Sequence, residues 1–381
     1  MQYTEYELGE LLPFEQPTAY IVKSTDYSDA YATPVLTAGK SFILGKTNET
    51  DGVFDQLPVI IFDDFTTATQ FVNFRFKVKS SAMKILHINT DLVIPKYIFY
   101  RLQIIQFDHS THKRYWIQSY SKIKVLIPPL DEQSRIVARI EELFSELDKT
   151  VDTLKTTKEQ LEVYRQAVMK DAFQEKESII RLGDAIEKPR YGTSKKCDYL
   201  RTANSTAVLR IPNIDTKNGR VDSSDLKYAE FNEKELEQLS LKNGDILIIR
   251  SNGSVSLVGS SAIIRKCDTD KTYAGYLMRL RILNKEKLLP QYLLYYLSSP
   301  DARRYIESVA KSTSGVNNIN SQEISKLCVP LSSIEKQEKT VAEIEMKLSV
   351  YHEIEKSVDT VLVQADAMRQ SILKQAFEGA L

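Results

Sequence analysis

Residues 133–173 of this chain read QSRIVARIEELFSELDKTVDTLKTTKEQLEVYRQAVMKDAF, and residues 337–377 read QEKTVAEIEMKLSVYHEIEKSVDTVLVQADAMRQSILKQAF. A shift of 204 positions aligns the two stretches without a gap. Identical residues then coincide at both ends, from the pair Gln133 and Gln337 to the pair Phe173 and Phe377. Because both ends match at one spacing, we interpret the two stretches as an internal repeat.

Each copy carries apolar residues at alternating spacings of four and three, which is typical of a long helix with a narrow apolar seam. The seam comprises Ile136, Ile140, Leu143, Leu147, Leu154, Leu161, Tyr164 and Val168 in the first copy, and Ile344, Leu348, Tyr351, Ile354, Val358, Val361, Ala365, Met368 and Ile372 in the second. Neither run contains Pro or Gly. Such a seam needs a partner, so we expect the two helices to pair antiparallel. Two unrelated surface helices are the alternative.

Each long helix follows a segment of short β-type runs that are bounded by turn residues. Each segment also contains an aromatic helix, predicted at residues 95–103 and 290–298. We therefore predict an α+β fold, in which two mixed α/β domains are separated by two long antiparallel coiled-coil helices in a pseudo-twofold internal repeat. The predicted boundaries are 1–128 for the first domain, 129–177 for the first helical spacer, 178–330 for the second domain and 331–381 for the second spacer.

The charge of the chain is distributed unevenly, although its formal net charge is zero. The net charge is −2 for residues 1–120, −2 for 121–177, +7 for 178–320 and −3 for 321–381. Because phosphate binding normally requires an excess of basic residues, residues 178–320 are the segment that best suits a nucleic acid. The acidic helical segments indicate a function other than nucleic-acid binding.

Cysteine and histidine positions give little support to a metal site. The chain has three cysteines, at positions 197, 267 and 328, and no Cys-x-x-Cys motif. His109 and His112 are the closest histidine pair, and we interpret them as part of a solvated loop rather than a metal site. The sequence shows neither a long apolar run nor a signal-peptide pattern at its start, so we expect a cytoplasmic protein.

Several strings in this order resemble the specificity (S) subunits of Type I restriction-modification systems, over essentially the whole chain. They are VIIFDDF at 59–65, KVKSSAM at 77–83, IPPLDEQ at 127–133, LRIPNI at 209–214, NGDIL at 243–247 and YLMRLR at 276–281. The resemblance implies that the two mixed domains are target-recognition domains. It also implies a target of double-stranded DNA, read as two unlike halves.

The resemblance further implies a division of labour among subunits. Modification (methyltransferase) subunits, two for each chain of this kind, would bring S-adenosylmethionine, and restriction (translocase and nuclease) subunits would bring ATP and Mg. This chain would then hold no cofactor and catalyse nothing. The residues agree, because the sequence lacks a Gly-x-x-x-x-Gly-Lys loop and an Asn/Asp-Pro-Pro-Tyr/Phe string. Acid-x-Lys triplets occur at 215–217 and 345–347, without a nearby upstream Pro-Asp.

Reading of DNA requires cations, hydroxyls and amides for the phosphates, with Arg suited to guanine and Asn or Gln to adenine. In the second domain the candidates are Arg190, Tyr191, Thr193, Ser194, Lys195, Lys196, Arg250, Ser251, Asn252, Ser254, Lys311, Ser312, Ser314 and Asn317. In the first domain they are Thr37, Lys40, Thr66, Thr67, Lys77, Lys79, Ser80, Ser81, Lys84, His112, Lys113 and Arg114. A solvated surface position is the alternative for each.

Other functions remain open at this stage. Asp63 and Asp64 could form a metal site or an acid pair, although no third carboxylate or histidine lies in register. Trp116 is more typical of a core than of a base-stacking platform. A non-enzymatic coiled-coil scaffold for proteins is the alternative function, and its binding should depend less steeply on salt than contacts to DNA phosphates do. A self-sufficient restriction or modification enzyme would require motifs that the sequence does not show.

Overall fold

The computed structural model describes residues 3–37, 41–108, 114–175, 177–313 and 315–379, with residues 311–313 described by their backbone alone. The chain divides into two compact units. Unit 1 comprises Met1–Lys155 and Asp359–Leu381, and unit 2 comprises Thr156–Val358. Each long helix therefore contributes one segment to each unit.

Unit 1 is a mixed domain packed on helical segments. Its elements are β1 (Thr4–Glu7), α1 (Leu8–Leu11), β2 (Phe14–Glu15), β3 (Thr33–Leu36), β4 (Ile43–Thr47), β5 (Val59–Asp63), β6 (Thr69–Val72), β7 (Lys77–Val78), β8 (Met83–His87), α2 (Pro95–Leu102), β9 (Lys124–Ile127) and the first part of α3 (Leu130–Asp171). One sheet has the order β2-β8-β5-β6, and a second has the order β4-β3-β7. A third pairing joins β1 to β9 in antiparallel register.

Unit 2 begins in the second part of α3. Its further elements are β10 (Ser178–Arg181), α4 (Leu182–Ala185), β11 (Arg190–Tyr191), β12 (Ser205–Leu209), β13 (Ile214–Asp215), β14 (Arg220–Val221), β15 (Lys227–Glu230), α5 (Glu233–Gln238), β16 (Ile246–Ile249), β17 (Ser251–Asn252), β18 (Ser261–Ile263), β19 (Thr272–Tyr273), β20 (Leu277–Leu280), α6 (Pro290–Leu297), α7 (Pro300–Val309), β21 (Lys311–Thr313), β22 (Val316–Asn318), α8 (Ser321–Ser325), β23 (Cys328–Leu331) and α9 (Ile334–Phe377). The last part of α9 belongs to unit 1.

The two units share one sheet topology. The order β11-β20-β16-β18 in unit 2 repeats β2-β8-β5-β6, and β15-β12-β19 repeats β4-β3-β7. In both three-stranded sheets the last pairing is parallel, between β3 and β7 and between β12 and β19. The antiparallel pair β10 and β23 repeats β1 and β9. The repeat predicted from the helices therefore extends through the mixed domains, and the predicted α+β class is confirmed.

The central strands explain why these sequences form sheets. Every residue of β5 and of β16 is buried, because each strand is covered on both faces. In unit 1 one face of β5 packs against the cluster that contains Trp116, which is 1% exposed. The prediction that Trp116 belongs to the core is confirmed. The aromatic helices are also confirmed, as α2 and α6.

Gln133, the first residue of the repeat, fastens α3 to the mixed domain of unit 1. Its side chain is completely buried. The Oε1 atom accepts a hydrogen bond of 2.8 Å from the N–H of Ile94, the residue before α2. The Nε2 group donates to the carbonyl oxygens of Leu92 and Pro128 at 3.0 and 2.9 Å. One amide therefore satisfies three backbone groups that would otherwise be buried without partners.

Gln337 makes the same three contacts in unit 2. Its Oε1 atom accepts from the N–H of Leu289 at 2.9 Å, and its Nε2 group donates to Lys287 and Ser332 at 2.8 and 2.9 Å. Only a side chain with an adjacent donor and acceptor of this length can serve all three groups. The coincidence of Gln133 and Gln337 in sequence therefore has a structural cause.

The helical segments run antiparallel within each unit. In unit 1, Ile140 of α3 packs against Leu373 and Ala376 of α9. In unit 2, the Tyr351 hydroxyl donates to Glu162 Oε1 at 2.6 Å. The helix bounds, Leu130–Asp171 and Ile334–Phe377, fall inside the predicted spacers. None of the helices in the described parts of the chain is long and apolar enough to cross a membrane.

The predicted seams are wrong at four positions, one of which, Tyr164, lies in α3 and is 43% exposed. Ile354, Val361 and Met368 were placed in the seam, but they are 41%, 39% and 54% exposed. Glu355, at 6% exposed, is buried instead, since it continues the four-three spacing from Tyr351. The charge is tolerated because the Glu355 carboxylate accepts hydrogen bonds from Lys217 and Tyr351 at 2.5 and 3.4 Å.

Candidate nucleic-acid interface

In unit 2 the three predicted candidate segments, which are far apart in sequence, meet on one surface. Strand β17 pairs with β22, so that Asn252 lies opposite Asn317. The Arg250 guanidinium stacks over the Tyr191 ring at 4.4 Å from its centroid. Asn317 also donates a 2.9 Å hydrogen bond to the Gly253 carbonyl. We call this set of segments, 190–194, 250–254 and 316–318, the unit 2 loop surface.

Backbone contacts fix the position of Arg250 and Tyr191. The N–H of Arg250 donates to the carbonyl of Tyr276 at 2.9 Å, and its Nη1 group donates to Gly275 at 3.1 Å. The hydroxyl of Tyr191 accepts a hydrogen bond of 2.9 Å from the N–H of Ser321. An arginine held in this way presents a planar group of fixed orientation, which is what a bidentate contact with a base edge requires.

A glycine allows segment 190–194 to approach the strand beside it. A Cβ atom at Gly192 would lie 2.2 Å from the Tyr273 carbonyl oxygen, so no other residue fits without moving the backbone. Burial raises the pKa of Tyr273 to about 12. Its hydroxyl therefore stays protonated and donates to the carbonyl of Arg190 at 3.3 Å. These contacts place Arg190 and Tyr191 on the surface, where both are exposed.

Some of the other unit 2 candidates form contacts within the protein, whereas others are exposed. Lys195 pairs with Glu235 at 2.7 Å and also donates to the Glu230 carbonyl at 2.9 Å. Ser251 is 8% exposed and belongs to the strand pairing. Ser194, Lys196 and Ser254 are exposed, whereas Thr193 and Asn252 are half-buried.

In unit 1 the corresponding loops are joined through Asp64. Its carbonyl oxygen accepts from the N–H of Tyr115 at 2.9 Å, and its Oδ1 atom accepts from the N–H of Trp116 at 2.9 Å. The N–H of Asp64 lies 3.5 Å from the carbonyl oxygen of Ala82. We call the segments that meet here, 65–67, 79–82 and 114–117, the unit 1 loop surface. Asp63 and Asp64 thus have structural contacts, and no group of three metal-ligating side chains is found among the residues described.

The unit 1 loop surface exposes several of the predicted residues. Lys79, Ser80, Thr66 and Arg114 are exposed there, and Thr67 and Ser81 are half-buried. Thr67 adopts a φ of 57°, and its N–H donates to the Asp63 carbonyl at 2.9 Å. A β-branched residue rarely adopts this conformation, and residues strained in this way cluster at functional sites. Thr37 lies beside Lys79, whose N–H donates to Leu36 at 2.8 Å.

Two lysines predicted to contact DNA are instead part of the interior. Lys77 and Lys84 are each 2% exposed. The ammonium of Lys77 donates to the Asp51 carbonyl at 2.6 Å and lies 3.2 Å from Glu49. That of Lys84 donates to Gln16 at 2.5 Å and lies 3.4 Å from Asp64. We correct this prediction, because an ammonium group held at such depth cannot reach a phosphate.

Some predicted residues lie outside the described part of the chain. These are Lys40, His109, His112, Lys113 and Ser314, together with the side chains of Lys311 and Ser312. Sequence reasoning missed Tyr276, which is 62% exposed and contributes its carbonyl to the contact with Arg250. The signal was present, since an aromatic residue directly after Ala274 and Gly275 stands at a turn rather than in a strand.

Two of the three segments in each loop surface are equivalent in the repeat. The segment after β5 in unit 1 corresponds to the one after β16 in unit 2, whereas segment 79–82 of unit 1 and segment 190–194 of unit 2 lie at different strands of the repeat. The third segment lies between the aromatic helix and the last strand of each mixed domain. The arrangement of strands that carries these loops, which we call the repeated frame, thus occurs in both units, whereas the residues exposed on its loops differ.

Comparison with known proteins agrees with this architecture. Residues 2–163 match the family model described as the Type I restriction modification DNA specificity domain. The Type I restriction enzyme EcoR124I/EcoR124II specificity subunit of Escherichia coli is 33% identical over 356 residues, which cover 88% of this chain and 84% of the relative. The chain belongs to the family of Type I restriction enzyme specificity subunits. The resemblance predicted from the sequence is thereby confirmed.

Further members of the specificity-subunit family and solved structures extend the likeness. The EcoKI specificity subunit of Escherichia coli is 30% identical over 278 residues, or 69% of this chain and 59% of the relative. A chain from a structure of complex assembly in the type I restriction-modification system has a TM-score of 0.72 at 17% identity, covering 100% of this chain and 98% of the other. The HsdS subunit from Thermoanaerobacter tengcongensis has a TM-score of 0.52, also at 17% identity, with coverage of 100% and 97%. These two structures show a shared fold.

Proposed function

We propose that this chain is the DNA-specificity subunit of a Type I restriction-modification complex. Its two target-recognition domains, predicted at 1–128 and 178–330, each read one half of a bipartite, asymmetric site in double-stranded DNA. The helical spacers, predicted at 129–177 and 331–381, dock the modification subunits, two for each chain. The proposal rests on membership of the family and on the two loop surfaces.

The observation that carries the proposal is that a repeated frame presents two different sets of side chains. The unit 2 loop surface offers Arg250, stacked on Tyr191, together with Asn252 and Asn317, which lie opposite each other in the β17–β22 pair. These are the groups that suit guanine and adenine edges in the major groove. The unit 1 loop surface offers mainly hydroxyls, together with Lys79 and Arg114. Two unlike surfaces on one frame favour a target with two unlike halves.

Phosphate contacts would come from the exposed cations around each surface. Arg190 and Lys196 are exposed beside the unit 2 loop surface, and Lys79 and Arg114 are exposed on that of unit 1. Such contacts position a protein on DNA without reading its sequence. We therefore assign base reading in unit 2 to Arg250, and phosphate binding to the exposed cations.

We further propose that this chain is not itself catalytic, so that S-adenosylmethionine, ATP and Mg act on the partner subunits. The carboxylates of the two acid-x-Lys triplets have contacts within the protein. Asp215 accepts from the N–H groups of Lys217 and Asn218, each at 3.1 Å. Glu345 accepts from the Tyr295 hydroxyl at 3.3 Å. The scaffold alternative is set aside, because the relatives that define the family are specificity subunits of restriction enzymes.

The decisive experiment is methylome sequencing of cells that express this chain with the modification subunit of the same system. We expect a new methyladenine motif with two unlike halves around a fixed spacer, and no such motif without the chain. Exchange of one target-recognition domain for that of a relative should change one half only. A motif that is unchanged by the exchange, or absent altogether, would contradict the proposal.

A further inference from the structure

Unit 1 has an open groove on its helical side, between α2, residues 141–152 of α3 and residues 369–373 of α9. Its volume is about 630 Å³. Aromatic side chains form the floor, where Tyr100 and Phe144 meet edge to face at 5.6 Å between ring centroids. We call this feature the open groove.

The open groove combines this apolar floor with carboxylates. Glu141, Asp148 and Asp152 line it, together with the cations Lys149 and Arg369. Arg369 pairs with Asp148 and lies over the Phe144 ring at 5.1 Å, and Lys96 pairs with Glu141, so the charges of these two carboxylates are already engaged. Asp152 is exposed. A ligand that fits this lining presents a positive charge beside a small apolar surface.

Unit 2 contains the equivalent groove, and its lining follows from the repeat. The same shift of 204 positions relates Glu141 to Glu345, Phe144 to Leu348 and Ser145 to Ser349, all on the groove-lining faces. It also relates Arg369 to Arg165. On the aromatic helices, Tyr295 of α6 takes the place of Tyr100 of α2. The two grooves are therefore one feature that occurs twice.

In unit 2 a turn of the chain itself enters this groove. The turn joins β13 to β14 and comprises residues 216–219. Gly219, at φ 62°, packs so closely that a Cβ atom would lie 2.9 Å from Leu294 Cδ2. Lys217 donates to the buried carboxylate of Glu355 at 2.5 Å, and its carbonyl accepts from Arg165 at 3.4 Å. The remaining cavity is about 340 Å³.

Unit 1 has no such turn among its described residues. In unit 2 the β13–β14 hairpin lies between β12 and β15, in residues 210–226, whereas in unit 1 the equivalent strands β3 and β4 are joined by residues 37–42 alone. That connection is too short for two further strands and a turn. The difference in length between the two mixed domains thus leaves one groove filled and the other open.

We propose that the open groove receives a turn of the modification subunit that carries a lysine or arginine, in the position that residues 216–219 occupy in unit 2. The inference rests on the proposed function, because it names the docking site of a partner assigned there. The occupant follows from the groove itself: the chain fills the second copy with a turn that carries Lys217, and the open copy keeps the same shape with the exposed carboxylate of Asp152 on its lining. The modification subunit would therefore insert a turn into the groove of unit 1 and not into the filled groove of unit 2, although the two units share the repeated frame.

A matched pair of substitutions tests the proposal. Ser145→Trp would fill the open groove from the exposed face of α3, and Ser349→Trp places the same side chain at the equivalent position of unit 2. The full-length chain, bound to target DNA, is titrated with the modification subunit of the same system. We expect Ser145→Trp to weaken binding of the modification subunit by about tenfold or more, because the indole would occupy the open groove and exclude the turn of the modification subunit. Ser349→Trp should change the affinity by less than about twofold.

A charge variant keeps the test valid if the tryptophan disturbs folding. Asp152→Lys should weaken binding of the modification subunit by about fivefold at low salt, since rim charges act mainly on association, whereas Glu159→Lys, on the exposed side of α3 outside the groove, should not. Equal binding by the native chain, Ser145→Trp and Asp152→Lys overturns the inference and leaves the proposed function standing. Equal losses for Ser145→Trp and Ser349→Trp overturn the difference between the grooves. A native chain that binds no modification subunit overturns both proposals.

Discussion

Gln133→Met removes the hydrogen bonds that fasten α3 to the mixed domain of unit 1. Methionine keeps the length and approximate volume of the side chain, so little cavity is created. The change leaves the Ile94 N–H and the carbonyls of Leu92 and Pro128 without the amide that serves them. Each buried group left unsatisfied costs about 1–3 kcal/mol. We expect the free energy of unfolding of unit 1 to fall by about 3 kcal/mol, with partial relief where a neighbour takes over a contact.

The single tryptophan of the chain makes this loss measurable. Trp116 lies in the core of unit 1 and is 1% exposed, so its fluorescence reports the unfolding of that unit. With a urea dependence of about 2 kcal/mol per molar, a loss of about 3 kcal/mol lowers the unfolding midpoint by about 1.5 M. Gln364→Met, at an exposed position of α9 in unit 1, is the control and should leave the midpoint unchanged.

Two outcomes would refute the reasoning about Gln133. A midpoint shift below about 0.5 M, with an unchanged slope, would mean that the three hydrogen bonds contribute little beyond what water supplies. An equal shift for Gln364→Met would mean that the effect arises from replacing any glutamine of the long helices. Hydrogen exchange at the Ile94 amide gives an independent measurement, since that N–H should lose its protection only in Gln133→Met.

Three further predictions concern unit 2. Arg250→Ala should lower the sequence specificity of methylation in one half of the target and leave the other half intact, because the lost base contact costs about 1–3 kcal/mol. Methylome sequencing that shows both halves altered, or neither, would contradict this prediction. Gly192→Ala should lower the thermal unfolding midpoint and weaken DNA binding, because its Cβ would lie 2.2 Å from a carbonyl oxygen. The control Gly253→Ala, whose Cβ has its nearest neighbour at 4.0 Å, should be tolerated. Equal thermal midpoints for the two variants would contradict the tight packing of Gly192 against the neighbouring strand. Burial, with Lys217 and Arg165 nearby and opposed by Glu355 and Asp215, lowers the pKa of His352. The folded chain then binds the proton less readily than the unfolded chain, so the stability of unit 2 should fall as the pH drops below about 6.5. His352→Gln should make the stability of unit 2 less dependent on pH in that range. An unchanged pH dependence in this variant would mean that other groups cause the effect.

The repeated helices were predictable because their signal is local. A seam with a four-three spacing and the absence of Pro and Gly depend only on neighbouring residues along one helix. The two long helices followed from such patterns, and their antiparallel pairing within each unit was expected because an apolar seam needs a partner. One of the errors in the seam, Ile354 for Glu355, arose where a tertiary partner outweighs hydrophobicity, since Lys217 neutralises the buried carboxylate.

The candidate interface was predictable as a set of loops, but its composition was not. Segments 250–254 and 316–318 were chosen for their residue types, and only strand pairing brings Asn252 opposite Asn317. Lys77 and Lys84 illustrate the opposite case, because a lysine in a sequence reads as a surface cation until its surroundings are known. Their burial depends on carboxylates and carbonyls from distant segments, which no local pattern records.

The sequence by itself thus determined the internal repeat, the α+β class and the family, because these depend on periodicity and on motifs in a fixed order. The tertiary structure alone decided which cations remain on the surface, which loops meet, and why one groove is filled while its counterpart is open. Those outcomes arise from contacts between residues far apart in the chain. Lys217, for example, reaches Glu355 only because the β13–β14 turn enters the groove beside α9.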